Sequence, residues 1–173
     1  MGKFNSLNDK VVVIAGGAKN LGGLLSKNYA EQGAKLVIHH HDEQSLDEAQ
    51  DTLAQVESLG GEGTLFSGDL TQVSNVESLF QHAQNTFGKI DIAINTVGKV
   101  LKKPIADTSE EEFDNMADIN AKSAYFFIKY AEKAMNDNGK IITLATALLA
   151  AYTGFYATYA GEIARRTLHT CSI

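Results

Sequence analysis

Four glycines fall within eight residues at Gly16-Gly17-Ala18-Lys19-Asn20-Leu21-Gly22-Gly23. They follow directly on an apolar, β-branched run and lead into a stretch of helical character. Glycine lets the backbone turn sharply and lets a ligand approach the bare main chain. The start of a helix adds free N–H groups and the positive end of its dipole. Together these are the parts of a phosphate-binding turn. A glycine cluster alone is weak evidence, but one set between the first strand and first helix of a βαβ unit is much stronger. The plain alternative is a tight βα turn packed on a sheet. The absence of Gly-Lys-Ser/Thr counts against a P-loop. Three consecutive histidines, His39, His40 and His41, raise the question of metal binding. Adjacent strand residues point to opposite faces, so the three do not converge without a bend. A solvated strand end, with no metal, is expected there. Asp69, in Gly68-Asp69-Leu70, is placed to cap the turn that follows it. Asn120 sits inside a helical stretch, where its side chain competes for backbone hydrogen bonds and needs a reason to be present.

The elements that must position these groups alternate along the chain. Residues 10–15 (KVVVIA) have no polar alternation, as expected of a strand buried on both faces. Residues 21–32 read as a helix stopped by Gly33, 35–39 as a strand, and 45–59 as a helix closed by Gly60-Gly61. A third strand at 63–67, a helix at 73–87 closed by Gly88, and a fourth strand at 90–95 follow. Ser109 with Glu112 three residues on forms a capping box that opens one long helix to about Met135. Asn138-Gly139 then turns into a fifth strand at 140–145, and a last helix begins near Tyr156. Strands alternating with helices predict an α/β fold with a doubly wound parallel sheet, since parallel strands need crossover connections. The loop at 97–108, which holds the single proline, Pro104, lies at a strand's carboxyl end, where ligands bind in such sheets. No repeat, low-complexity tract or linker interrupts this order, so residues 1–173 are expected to form one domain with an atypical tail at 162–173.

Bulk composition narrows the function. The chain has 173 residues, is 44% hydrophobic and 21% charged, and carries a net charge of −6. That acidity argues against general nucleic-acid binding, which needs clustered Lys and Arg. Cys171 is the only cysteine, so an internal disulfide is excluded and a reducing cytoplasm suits the chain. No apolar run reaches transmembrane length and no signal-peptide core opens the sequence, so no membrane partner is expected. The first six residues fit a loose N-myristoylation pattern, but so short a pattern recurs by chance.

The glycine turn resembles the Thr-Gly-x-x-x-Gly-x-Gly pattern of the short-chain dehydrogenase/reductase family, with Gly16 and Gly22 at the outer glycines, Ala15 in place of Thr and Asn20 in place of the middle glycine. Asn tolerates left-handed backbone better than most residues, so the turn can survive the exchange. Asp69 and Leu70 match the adenine-contacting site, and Asn95-Thr96-Val97-Gly98 resembles the family's Asn-Asn-Ala-Gly motif. Asn120, Thr146 and Tyr159 match the catalytic asparagine, serine and tyrosine. The resemblance implies a Rossmann-type sheet, incomplete at its C-terminal end. It implies a cofactor bound by Gly16, Lys19, Asn20, Leu21, Gly22, His40, Asp69, Leu70, Asn95, Val97 and Gly98. Its chemistry is hydride transfer to or from a small carbonyl or alcohol substrate. His40 stands where an NAD-selecting acid would, and Lys19 where NADP-preferring relatives often carry a base. These favour NADP, with Asp42 pulling toward NAD. Relatives also pair through the helix after strand four, so a homo-oligomer is implied.

The resemblance stops near Gly161. The family's tyrosine is followed four residues later by a lysine that lowers its pKa from about 10 toward working pH. Here that residue is Ile163, and Arg165 and Arg166 lie on other parts of a helix. One codon choice for the last eight residues, read two bases earlier, gives a family-like helix, so the tail is expected to be out of frame. Two functions therefore stand side by side: an NADP-dependent oxidoreductase, and a non-catalytic dinucleotide-binding remnant or interaction module. A nucleoside-phosphate binder of another doubly wound class is a remote third.

Overall fold

The computed structural model describes residues 7–145. The myristoylation-like start, Thr146, Tyr159, Ile163 and the helix expected near Tyr156 lie outside the described residues.

Five parallel strands form one sheet in the order β3-β2-β1-β4-β5. They are β1 (Val11–Ala15), β2 (Lys35–His40), β3 (Glu62–Ser67), β4 (Ile90–Asn95) and β5 (Met135–Thr143). The chain winds outward from β1 to β3, then returns to the other side of β1 for β4 and β5. The strand order therefore reverses between β1 and β4, the switch point where open α/β sheets bind ligands. This is the Rossmann-type, doubly wound α/β arrangement expected from the alternation.

All five residues of β1 are buried because helices cover both of its faces. Val12 and Ile14 pack with Leu36, Ile38, Ala30 and Val56 on the side of α1 (Asn20–Ala30) and α2 (Leu46–Ser58). Val11, Val13 and Ala15 pack on the other side with Val76, Leu79 and Phe80 of α3 (Val73–Phe87) and with Phe127 and Ala131 of the helix before β5. The strand period of two divides these residues between the layers.

Two elements depart from expectation. The capping box holds as read, with the Glu112 N–H donating to the Ser109 hydroxyl at 3.2 Å and Glu112 Oε2 accepting the Ser109 N–H at 2.9 Å. The helix it opens is not uniform, however. It runs as α4 (Glu110–Ala117), a π-helical turn at Asp118–Lys122, and α5 (Ser123–Ala134). The fifth strand begins earlier than residue 140. Met135 pairs with Ile90 and Lys140 with Ile92, so residues 136–139 bulge opposite Asp91. Asn138 takes φ +68 within the bulge, and Asp91 anchors it by accepting from the Asn136 amide at 3.1 Å. The same carboxylate accepts the Val11 N–H at 3.0 Å and pairs with Lys10 at 3.0 Å, which ties the N-terminal ends of β1, β4 and β5 together.

Phe127 is 1% exposed and stacks at a tilt on Phe80, 5.0 Å between centroids, whereas Tyr125 on the same helix is 67% exposed. Phe127→Ala is expected to cost about 3–5 kcal/mol in urea unfolding and Tyr125→Ala no more than about 0.5 kcal/mol. Equal effects would contradict this layering.

Candidate functional site

A cleft of about 660 Å³ opens at the carboxyl ends of β1, β2 and β4. Its floor is the glycine turn. Gly16 takes φ +73 and Asn20 φ +50, both left-handed. Asparagine thus holds the backbone shape for which the family uses glycine. Gly22 lies so close beneath the turn that a Cβ there would strike the Gly16 carbonyl. The start of α1 has no side-chain cap and no acidic residue in its first turn. Its end of the dipole is therefore left to the cleft, which suits an anion.

The turn is buried against the sheet, so its polar main-chain atoms need partners. Neighbouring elements supply them. The Gly16 N–H donates to His39 Nδ1 at 3.0 Å, and the opposite ring nitrogen, Nε2, donates to the Gly68 carbonyl at 2.7 Å. The Ser26 hydroxyl is shared between the carbonyls of Gly17 and Gly22, at 2.9 and 3.0 Å. Thr52 donates to the Ala18 carbonyl at 2.6 Å. Thr96 reaches the Ala15 carbonyl with both its N–H, at 3.0 Å, and its hydroxyl, at 2.8 Å.

His39 is the centre of this set. It is 2% exposed, and with one nitrogen accepting and the other donating it must be the neutral Nε2–H tautomer. Burial lowers its pKa from 6.5 to about 4, against the opposing pull of the Gly68 carbonyl and with help from His40 and His41. His40 is also buried, with Nδ1 donating to the Asp42 carbonyl at 3.0 Å. The expectation of a solvated strand end therefore fails for these two. Helices cover both faces of β2, and each imidazole finds main-chain partners there. Only His41 is exposed, 3.9 Å from Asp69. Among the described residues no cluster of three or more His, Cys, Asp or Glu side chains is placed to hold a metal.

Of the residues singled out in the sequence, Gly16, Lys19, Asn20, Leu21, Gly22, His40, Asp69, Leu70, Val97 and Gly98 line this one cleft. Asn95 and Asn120 do not line it; they hold its wall. Asn95 Oδ1 accepts the Val97 N–H at 3.0 Å. Asn120 makes a reciprocal pair with the Lys99 backbone, accepting from its N–H and donating to its carbonyl, each at 2.9 Å. The π-helical turn is where Asn120 leaves the helix register to do so, and Ser123 caps the Ile119 carbonyl there at 2.6 Å. Asp69 accepts the Thr71 N–H at 2.9 Å, the turn cap read from sequence. Asp42 is engaged by Ser45, which donates to its carboxylate through backbone and hydroxyl and holds its pKa below the usual range. The acid expected to pull toward NAD is thus part of a helix cap. Sequence reasoning missed Ser26 and Thr52, and took His39 for part of a solvated strand end. Their one signal is a polar residue in an otherwise apolar register position of the helix or strand.

Over residues 16–165 the chain matches the family model described as enoyl-(acyl carrier protein) reductase. It is 55% identical to a short-chain dehydrogenase of Oenococcus oeni, with TM-score 0.75, covering 90% of this chain and 70% of that one. The chain belongs to the short-chain dehydrogenase/reductase family. A protein of Burkholderia cenocepacia assigned as a dehydrogenase, solved with bound NADP, is 53% identical with TM-score 0.88, over 92% of this chain and 61% of that one. Hydroxynaphthalene reductase of Aspergillus fumigatus is 28% identical over 156 residues, 90% of this chain and 56% of the relative. The chain therefore spans little more than half the length of the curated relatives it matches.

The unfolded chain takes up a proton at His39 near pH 6.5 and the folded chain only near 4. The stability tied to neutral His39 is present above about pH 6.5 and falls as pH drops toward 4, by up to about 3 kcal/mol. Urea unfolding of the wild type should lose that much more than His39→Leu between pH 7 and 4; parallel losses would contradict the neutral clamp.

Proposed function

We propose that the cleft binds NADP and that the chain serves hydride transfer between its nicotinamide and a small carbonyl or alcohol substrate. The observation that carries this reading is the uncapped start of α1 beneath a left-handed glycine turn at the strand-order switch, on a chain 53% identical to a protein solved with NADP. Gly16, Asn20, Leu21 and Gly22 would take the pyrophosphate on backbone N–H groups. Lys19 and His40 would meet the adenosine ribose at the end of β2, and Asp69 and Leu70 the adenine. Val97 and Gly98 would flank the nicotinamide half, with Asn95 and Asn120 positioning that wall. When bound, the cofactor supplies the hydride. Tyr159 would hold or release the proton on the substrate oxygen, and Thr146 would orient that oxygen, as the family's residues at those positions do. This reading goes with a cytoplasmic setting. Exposed Phe113, Tyr125 and Ile128 on α4 and α5 support self-association through that face.

A second reading, binding without turnover, is favoured by Ile163 at the position of the family's lysine. In the family that lysine is what brings the tyrosine toward working pH, and Ile163 carries no charge with which to do so.

Fluorescence titration should give saturable NADPH binding that Gly22→Val abolishes; no saturation by the wild type would refute the dinucleotide site. NADPH-dependent reduction of simple ketones is expected to be weak and to rise at least about tenfold in Ile163→Lys, a gain that Tyr159→Phe removes. Robust wild-type turnover lost on Tyr159→Phe would overturn the second reading.

A further inference from the structure

The rim of the cleft beside β2 carries an ion pair that the family pattern does not anticipate. Lys19, at the entry to α1, meets Glu48, in the first turn of α2, at 2.6 Å. Both side chains are about half exposed, and both line the cleft. The end of the second strand of such a sheet is where the ribose 2′ substituent is read. Two lysines and three carboxylates line this cleft: Lys19, Lys99, Asp42, Glu48 and Asp69. Asp42 is engaged in a helix cap, and Asp69 holds a turn N–H and faces His41. Glu48 alone among the three is turned to Lys19.

From this we infer that Glu48 is a selectivity residue of the dinucleotide site, an inference that rests on the reading given above. With a 2′-hydroxyl, Lys19 stays on Glu48, and the carboxylate is free to accept from the ribose. A 2′-phosphate must take Lys19 away from Glu48. Separating an exposed pair costs little. Glu48 is held at the rim by its place in the first turn of α2. It then faces a phosphate dianion across the rim. The acid thus works against the lysine that would otherwise select NADP, and narrows the preference between the two cofactors.

The test is a set of fluorescence titrations with NADPH and NADH, on wild type, Glu48→Gln, Lys19→Met and Glu57→Gln, in low salt. Glu57 is exposed later on the same helix and controls for net charge. Glu48→Gln should tighten NADPH about three- to tenfold and leave NADH unchanged or weaker, while Lys19→Met weakens NADPH by a similar factor. The gain should shrink at high salt, as expected for exposed charges. Glu57→Gln should leave the NADPH-to-NADH ratio unchanged. A ratio unmoved by Glu48→Gln, or a change shared equally by both cofactors, overturns the inference while leaving the dinucleotide site intact. Failure of the wild type to bind either cofactor overturns both.

Discussion

A backbone turn that offers bare N–H groups to a ligand must itself be held, and it is held here mainly by groups from neighbouring elements. Its four glycines have no side chain with which to pack. Hydrogen bonds with surrounding residues fix the turn: His39 of β2 accepts from it, and Ser26 of α1, Thr52 of α2 and Thr96 after β4 donate to it or to the strand end before it. A buried main-chain atom left unpaired costs about 1–3 kcal/mol, and the Thr96 hydroxyl adds a second bond to the Ala15 carbonyl that its own N–H already reaches. The order of the surrounding strands makes this possible. His39 can reach Gly16 and Gly68 at once only because β2 lies between β1 and β3.

Most of the fold was legible because buried parallel strands carry a dense apolar signal. Residues 10–15 and 90–95 could hardly be anything else, and glycines punctuated the helices between them. What escaped was local and polar. No periodicity announces a π-helical turn; Asn120 was singled out as a polar residue inside a helix and as a match to the family's asparagine, and neither reading foretold its pairing with Lys99, twenty-one residues away. The early start of β5 was hidden because Asn138-Gly139 reads as a turn, whereas the sheet absorbs it as a bulge fixed by Asp91.

The site was legible to a similar depth. Ten residues chosen by motif share one cleft, since the glycine turn, the end of β2 and the loop after β4 are fixed points of such a sheet. The histidine run was read as a solvated strand end; alternation argued only against convergence on a metal, and both faces of β2 are covered. Asn95, expected at the cofactor, also holds its own loop through its Oδ1. A motif residue can thus be required for the shape of a site.

The Ala15 carbonyl accepts two hydrogen bonds from Thr96, a residue about eighty positions further along the chain. The cleft thus comes into existence only when the second half of the sheet has docked on the first. A ligand that recognises the completed cleft and not the separate halves adds its binding free energy to their association, in proportion to the logarithm of its concentration. Occupation of the cleft and completion of the sheet are then one linked equilibrium.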